Sequence, residues 1–185
     1  MIELLTADTP NGKKISIMLE EIKFNYKVTK INIFKDEQFK PEFKKLSPFK
    51  KIPVIIDHDA KKTFFESGAI LIYLGEKSGK LYNKNQRSEI NQWLMGQMAY
   101  VGPMLGQHHQ FHHYNPGKSE FGEKRYFKIA TQIYKDLDER LEVSEFLAGK
   151  DYTIADIATF PWIARHDWHD IGSVSYTHLT LPTIE

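Results

Sequence analysis

Strand and helix patterns alternate along the first 77 residues of this 185-residue chain, and only helix patterns follow residue 88. The apolar run at residues 2–5 predicts a strand, and turn-forming residues at 9–12 interrupt it. Apolar side chains then recur every three or four positions from Ile15 to Ile22, which predicts a helix at 12–24. Strands that alternate with helices predict a right-handed βαβ unit with a parallel strand pair.

The remaining patterns of this first part predict the element order βαβαββα. The closing hairpin predicts an antiparallel edge beside the parallel pair. The predicted segments are a strand at 26–33, a helix at 37–46, strands at 52–56 and 62–65, and a helix that opens at 66–68.

A polar stretch at residues 78–88 predicts a linker between two domains, at 1–77 and 89–172. The second domain reads as helical throughout, with helices predicted at about 87–110, 119–142 and 154–168. Residues 173–185 carry no charge before Glu185 and have no helical stripe. We therefore expect them to be a non-native tail, similar to a translated adaptor sequence.

The sequence contains no cysteine, which excludes disulfides, cysteine-based zinc sites and a protein thiol nucleophile. Together with the lack of an apolar signal segment, this composition predicts a cytoplasmic protein. No apolar run approaches the roughly 18 residues of a membrane span, so we expect no membrane partner. If the protein performs thiol chemistry, a ligand must supply the sulfur.

Charge is balanced overall but unevenly distributed along the chain. The 25 basic and 24 acidic side chains leave a net charge of +1, which argues against nucleic acid as a partner. Residues 1–85 hold 16 lysines against 11 acidic residues, a net charge of +5. This excess favours an anionic small molecule at the first domain, unless it is ordinary variation of a solvated surface.

Six short motifs in a fixed order carry a resemblance to a known family. They are TPNGKK at 9–14, QFKPEF at 38–43, SP at 47–48, KIP at 51–53, ESGAI at 66–70 and GPMLGQ at 102–107. With the βαβαββα order and the helical second part, the chain resembles the glutathione transferase superfamily. The motifs are most similar to its nu class, bacterial glutathione-disulfide oxidoreductases related to a fungal prion-forming nitrogen regulator.

This resemblance implies an α/β thioredoxin-like N-terminal domain followed by an all-α C-terminal helical domain. Members of the family continue past the position of Gly172 into further helices, so the helical domain is expected to be truncated here. The family is dimeric, and the resemblance implies a homodimer if that domain is intact. Phe49 is a candidate for docking into the neighbouring subunit, or alternatively a local core contact.

Glutathione is the co-substrate that the resemblance implies, and its contacts carry over residue by residue. Ile52 and Pro53 match a cis-proline position whose backbone pairs with the cysteinyl part, although an ordinary trans proline could equally start a strand. Glu66 suits the γ-glutamyl ammonium and Ser67, as a helix N-cap, its carboxylate. The glycine end is assigned to Gln38 and Lys51, and a further carboxylate contact to Arg125, each of which could instead be a solvated surface residue.

Thr9 and Asn11 are the predicted catalytic residues. Many family members hold the glutathione thiolate with a side chain near this turn, and a hydroxyl or an amide can donate to a thiolate without ionising. The helix that follows would also lower the pKa of the thiol. The alternative is that both side chains only shape and cap the turn.

The resemblance implies a glutathione-dependent disulfide-bond oxidoreductase acting on small disulfides without any protein cysteine. Bound glutathione thiolate would attack a disulfide, and a second glutathione would resolve the mixed disulfide. Two alternatives use the same site. One is a conventional conjugating transferase or peroxidase acting on electrophiles, and the other is a non-catalytic glutathione-binding regulator.

Four histidines at positions 108, 109, 112 and 113 suggest either a metal site or the lining of a substrate channel. The i, i+4 pairs lie on different helical faces and no nearby carboxylate completes a ligand set, so we expect no metal. The segment Thr153–Asp156 predicts a capping box with a structural role, because Asp156 stands where a glutamate usually does.

Overall fold

The computed structural model describes residues 1–171, which divide into two compact units between Lys84 and Asn85. This division falls inside the stretch predicted as a linker, at residues 78–88. The predicted non-native tail at 173–185 lies outside the described residues. Among residues 1–171, no helix combines the length and apolar character needed to span a membrane.

The first unit contains one four-stranded sheet in the order β2-β1-β3-β4. β1 is parallel to β2 and antiparallel to β3, and β3 is antiparallel to β4, so the predicted parallel pair and antiparallel edge are both confirmed. The elements are β1 Ile2–Thr6, α1 Pro10–Ile22, β2 Tyr26–Lys30, α2 Pro41–Leu46, β3 Val54–Asp57, β4 Lys62–Phe65 and α3 Ser67–Ser78.

The apolar stripe predicted on α1 is buried as expected. Ile15, Met18, Leu19 and Ile22 are all nearly inaccessible to solvent. Helix α1 packs against α3. The helix starts at Pro10, two residues before the predicted start, because proline at the first helical position has no N–H that would otherwise be left unpaired.

Strand β3 is Val54–Asp57 rather than the predicted 52–56, and two further predicted bounds in this unit are wrong for a local reason. β2 ends at Lys30 because Asn32 turns the chain: its side-chain oxygen accepts from the backbone N–H of Phe34 and Lys35 at 3.1 and 3.2 Å. The helix predicted at 37–46 is two pieces, a 3₁₀ turn and α2, which starts at Pro41. Proline disfavours helical backbone in the residue before it, so the two pieces do not join.

The second unit is helical, as predicted, and the helix predicted at 119–142 is found at Glu120–Glu142. The segment predicted at 87–110 is helical throughout but includes π-helical turns, and the helix predicted at 154–168 is divided before His166. The helices are α4 Arg87–Gly96, α5 Gly102–His108, α6 Glu120–Glu142, α7 Ile154–Ile163 and α8 His166–His169, with π-helical turns Gln97–Val101 and His109–Tyr114.

One apolar cluster forms the core of the second unit, where α5, α6 and α7 meet. It includes Leu105, Ile133, Leu137 and Trp162. The buried face of α6 also includes Tyr134, whose hydroxyl lies 3.2 Å from the Ile163 carbonyl oxygen. A polar hydroxyl can be buried there because it has hydrogen-bond partners.

The predicted capping box at the start of α7 is confirmed, and it is fully buried. The Asp156 carboxylate accepts from the backbone N–H of Thr153 at 2.9 Å and from its hydroxyl at 3.0 Å. The same carboxylate accepts from the Leu147 N–H at 2.9 Å, which ties α7 to the segment before it. Burial raises the pKa of Asp156, opposed by these hydrogen bonds.

We predict that Asp156→Ala lowers the free energy of unfolding by about 2–4 kcal/mol, because two buried N–H groups lose their acceptor. Urea unfolding would measure the change as a shifted midpoint with an unchanged m-value. Asp151→Asn is the control: Asp151 is exposed and accepts a hydrogen bond from the Gln86 side chain at 2.9 Å, so its effect should stay within about 0.5 kcal/mol. Equal effects of the two substitutions would contradict a special role for the capping box.

Candidate functional site

Strand register brings several chain segments to one edge of the first unit's sheet. Leu5 pairs with Val54, and Val54 pairs with Phe65. Thr6 pairs with Lys30. The ends of β1, β2 and β4 and the start of β3 therefore share this edge.

The predicted site residues follow or precede these strand ends. The turn containing Thr9 follows β1, and Ile52 and Pro53 lie immediately before β3. Glu66 and Ser67 come directly after β4. The sheet thus places the three predicted groups at its common edge, although they are up to 58 positions apart in the sequence.

Thr9 is the N-cap of α1, and its hydroxyl oxygen accepts from the Gly12 N–H at 3.1 Å. This bond uses the oxygen as an acceptor and leaves the hydroxyl hydrogen free to be donated elsewhere. Asn11 is the second helical residue and is half-buried. A side chain at Gly12 would place its Cβ 2.4 Å from both the Ala7 carbonyl oxygen and the Thr6 hydroxyl, so the tight turn requires glycine.

The Ile52–Pro53 peptide bond is cis, in agreement with the expectation from the family resemblance. Pro53 is buried and Ile52 is half-buried. The buried Ser47 hydroxyl fixes the backbone just before this bond, accepting from the Lys51 N–H at 3.1 Å and donating to the Lys51 carbonyl at 2.9 Å. The Lys51 side chain itself is exposed.

Gln38 lies in the 3₁₀ turn Glu37–Phe39 and is half-buried. Its side-chain amide donates to the Ile33 carbonyl at 3.3 Å. Its side-chain oxygen is buried and has no hydrogen-bond partner within the described residues. The hydrogen bond to Ile33 therefore fixes the orientation of the Gln38 side chain, and its oxygen can still accept a hydrogen bond.

The expectation that Ser67 caps α3 is wrong. Glu66 is the N-cap, since its carbonyl accepts the first helical bond, from the Ile70 N–H at 2.9 Å. Ser67 is instead the first helical residue and is 5% exposed. Glu66 is exposed and has φ +68°, a left-handed conformation that costs a residue with a side chain about 1–3 kcal/mol and is concentrated at ligand sites.

Lys14 is a buried charged residue of this unit that the sequence analysis did not select. It is 1% exposed, and burial lowers its pKa to about 7, although the Glu66 carboxylate acts in the opposite direction. The available signal was its spacing: Lys14 lies four positions before Met18, on the buried face of α1. A titratable cation therefore lies within electrostatic range of the α3 N-cap.

Comparison with known proteins assigns this arrangement to a family. The model of the glutathione S-transferase N-terminal domain matches residues 3–76. The disulfide-bond oxidoreductase YfcG of Escherichia coli (strain K12) is 44% identical in an alignment 170 residues long, which covers 88% of this chain and 79% of YfcG. The chain belongs to the glutathione transferase superfamily.

Structural comparison supports the assignment over nearly the whole length. A glutathione transferase of Pseudomonas putida, with one glutathione disulfide bound per subunit, superposes with a TM-score of 0.88 at 39% identity. The match covers 96% of this chain and 82% of that one. The chain spans less of some relatives, such as 65% of a glutathione S-transferase domain-containing protein of Dictyostelium discoideum that is 36% identical.

Arg125, the predicted site residue of the second unit, lies on the exposed face of α6. Its guanidinium carbon is 6.0 Å from the centroid of the Tyr126 ring. It lines a surface cavity of about 660 Å³ together with Tyr100, Phe121 and Lys128. The cationic side chains of the cavity, Arg125 and Lys128 among them, suit an anion.

The predicted histidines at positions 108, 109 and 112 form stacked ring pairs. The rings of His109 and His169 are stacked with centroids 4.4 Å apart, and those of His108 and His112 with centroids 4.8 Å apart. Within residues 1–171, no three histidine or acidic side chains are grouped so that they could hold a metal ion. His169, which completes the stack, was not selected from the sequence because it is 56 positions from His113.

Three of these histidines are buried. His108 Nε2 lies 2.9 Å from the His169 carbonyl oxygen, and the Tyr134 hydroxyl lies 2.8 Å from His169 Nδ1. His108 Nδ1, His109 Nε2 and His169 Nε2 are buried and have no hydrogen-bond partner among the described residues. Burial, reinforced by neighbouring imidazoles, lowers the pKa of His109 to about 4 and that of His169 to about 2.

We predict that acid destabilises the second unit well before its carboxylates are protonated. Unfolded histidine titrates near pH 6.5, whereas folded His109 and His169 stay neutral to about pH 4 or below. Between these values the unfolded chain binds more protons, so each histidine lowers the free energy of unfolding by about 1.4 kcal/mol per pH unit as pH falls. Urea unfolding between pH 7.5 and 5 would measure this slope.

The matched variants separate these histidines from general acid effects. His109→Phe keeps an aromatic ring between His169 and Trp162 but removes one titrating group, so its slope should be smaller by about one proton. Phe111→Leu changes a residue of the same helical segment as His109 without removing a titrating group, and it should keep the native slope. A native slope in His109→Phe would show that the buried histidine does not cause the pH dependence.

Proposed function

We propose that this protein is a glutathione-dependent disulfide-bond oxidoreductase that uses the thiolate of bound glutathione. The observation that carries the proposal is the common sheet edge holding Thr9, Ile52-Pro53 and Glu66-Ser67. The chain has no cysteine, so any thiolate at this edge must come from a ligand. The relative YfcG is named a disulfide-bond oxidoreductase, and the Pseudomonas putida structure holds glutathione disulfide.

The γ-glutamyl end of glutathione would lie at the start of α3. Its ammonium pairs with the exposed Glu66 carboxylate, and its carboxylate accepts from the Ser67 hydroxyl and from the first N–H groups of the helix. Ser67 serves this role from the first helical position rather than from the cap. Glu66 is the N-cap of α3, so its backbone has left the helical conformation.

The other end of glutathione would follow the segment before β3. The Ile52 backbone and Pro53 contact the cysteinyl part, with Ser47 holding the adjoining Lys51 backbone in place. The exposed Lys51 ammonium and the Gln38 amide suit the glycine carboxylate. The contact predicted for Arg125 stays a prediction from the family resemblance.

Thr9 and Asn11 would stabilise the thiolate. The Thr9 hydroxyl accepts from Gly12 and donates its own hydrogen to sulfur, while the Asn11 amide offers a second donor. A free thiol has a pKa of about 8.5, and donors together with the α1 N-terminus lower it. Neither side chain ionises, so neither competes with glutathione as the nucleophile.

The reaction proceeds by two thiol–disulfide exchanges. The bound thiolate attacks one sulfur of a small disulfide, forming a bond to glutathione and releasing the other sulfur as a thiolate that takes up a proton. A second glutathione thiolate then attacks the mixed disulfide and releases the second thiol with glutathione disulfide. Two electrons pass from two glutathione molecules to the substrate.

We further propose a cytoplasmic homodimer. Phe49 is 66% exposed, as a residue that docks into a partner subunit would be. It also contacts Phe65 edge-on within its own unit, with ring centroids 6.2 Å apart. The local contact orients the ring, and the exposed side remains accessible to a second copy.

We predict that Thr9→Ala reduces kcat with a small disulfide and glutathione by about 10- to 100-fold, because the thiolate loses one donor worth about 1.5–3 kcal/mol. Thr9→Ser is the control, since serine keeps both the cap and the hydroxyl. Asn11→Ala should act in the same direction. Ultraviolet titration of bound glutathione thiolate would show a raised thiol pKa in both alanine variants.

The same assay distinguishes the three hypotheses. Full turnover in Thr9→Ala and Asn11→Ala would exclude the thiolate role. Turnover of electrophiles or peroxides with no disulfide activity would favour the conventional transferase. Glutathione binding without turnover of any of these substrates would favour the regulator.

We predict that Glu66→Gln weakens glutathione binding by about tenfold or more, because the ammonium loses a charged partner. Ser67→Ala should weaken it less, since the helix N–H groups remain. Titration calorimetry measures both, with Glu42→Gln as the control because Glu42 is an exposed acidic residue of α2. Unchanged affinity in Glu66→Gln would exclude the proposed ammonium site.

A further inference from the structure

The buried lysine of α1 belongs to the same sheet edge as the residues assigned to the γ-glutamyl group. Lys14 lies in the second turn of α1, the helix that follows β1. Glu66 lies at the start of α3, directly after the end of β4. Strand register places the ends of β1 and β4 at one edge, and α1 packs against α3. Both helices therefore begin at this edge.

Burial makes the positive charge of Lys14 unfavourable unless a negative charge compensates it. The side chain is 1% exposed, and lysine is almost never fully buried without a partner for its charge. A buried ammonium that lacks compensation loses its proton and remains in the interior as the neutral amine. The protonation of Lys14 therefore depends on the carboxylate that acts on it.

Glu66 supplies this negative charge. Burial lowers the pKa of Lys14 to about 7, and the Glu66 carboxylate acts in the opposite direction. Glu66 is itself exposed, and its left-handed backbone is of the kind concentrated at ligand sites. One carboxylate is therefore open to a ligand and acts on an interior cation at the same time.

Other charged groups of α1 and α3 have different partners or lie further along the helices. Tyr73 and Lys77 each lie 2.5 Å from the carboxylate of Asp57, which is at the opposite edge of the sheet. Lys13 is exposed and pairs with Asp8 at 3.3 Å. The acidic residues nearer the far ends of the two helices are Glu20, Glu21 and Glu76. The N-cap of α3 is thus the carboxylate that acts on the buried lysine.

We propose that Lys14 is the resident counter-ion of Glu66 and releases its proton when the ammonium of glutathione pairs with that carboxylate. This inference rests on the proposed function for its assignment of the ammonium to Glu66. Two cations would otherwise share one carboxylate, and Lys14 is the one that is shielded from water. The neutral amine of Lys14 stays in the interior and the proton passes to solvent, so binding of the ammonium leaves the charge of the edge unchanged.

Proton release makes ligand binding depend on pH. Below about pH 7 the ammonium of the ligand displaces a proton that Lys14 holds, and above this pH Lys14 is already neutral. Because binding releases a proton, affinity rises as pH rises. We expect an increase of about tenfold between pH 6 and pH 8.

The test uses S-methylglutathione as the probe, because it keeps the ammonium and has no thiol proton that could contribute to the release. Titration calorimetry in buffers of different ionisation enthalpy counts the protons released per ligand bound. We expect about half a proton at pH 7 in the native protein. The matching analogue without the amino group should bind with no proton release, since it does not compete with Lys14 for Glu66.

A variant at Lys14 identifies the source of the proton. Lys14→Met removes the titrating group and keeps an unbranched side chain that can be buried. It should abolish the release, make affinity independent of pH and raise affinity at pH 6 by about tenfold. A merely structural role would instead weaken binding at every pH. Lys13→Met is the control, because it removes the neighbouring exposed lysine and should keep the release and the pH dependence.

Three results would overturn the proposal. They are binding of S-methylglutathione to the native protein without proton release, equal release with the analogue that lacks the amino group, and native release in a Lys14→Met variant that urea unfolding shows to be folded. The first two use the native protein, so they decide the matter even if the variant does not fold.

Turnover of a small disulfide distinguishes this inference from the proposed function. Disulfide reduction together with binding that releases no proton would remove the role of Lys14 and leave the proposed function. Proton release on binding, without reduction of any disulfide, would remove the proposed function and leave Lys14 as the counter-ion of Glu66.

Discussion

The antiparallel pairing of β3 with β1 is the constraint on which the candidate site depends. Because β3 runs against β1, the start of β3 and the end of β4 lie beside the end of β1. A parallel β3 would have placed Ile52 and Pro53 at the opposite edge, away from Thr9. The reversal of one strand thus brings together three groups that local sequence patterns alone would leave apart.

Within this frame, side-chain-to-backbone hydrogen bonds set the details of the edge. The Thr9 hydroxyl accepts from the Gly12 N–H, and the Ser47 hydroxyl accepts from the Lys51 N–H. The Asn32 side-chain oxygen accepts from the Phe34 N–H in the segment after β2. Each uses a short polar side chain to fix a backbone that has left regular structure. The edge is therefore formed by preorganised backbone, and the side chains that would meet a ligand are positioned by it.

Features that depend on residue type and spacing alone could be predicted from the sequence. Features that depend on tertiary contacts or on an unusual backbone conformation could not. The α1 stripe and the Thr153–Asp156 capping box were predictable, since spacing and residue type alone specify them. Ser67 was misplaced by one residue because the left-handed backbone of Glu66 is unusual for a residue with a side chain. Lys14 was missed because a lysine at a buried position contradicts the usual preference of its charge for water.

The two units handle buried ionisable groups in contrasting ways. In the second unit the rings of His109 and His169 stack on each other and remain neutral, so no charge is buried there at neutral pH. In the first unit burial brings the pKa of Lys14 down to about 7, while the Glu66 carboxylate favours its protonated form. Glu66 therefore acts on a buried cation and, in the proposed function, also pairs with the ammonium of glutathione. A ligand that neutralises the Glu66 carboxylate would lower the pKa of Lys14 further. Ligand binding at the sheet edge would then be coupled to the protonation of Lys14 inside the unit.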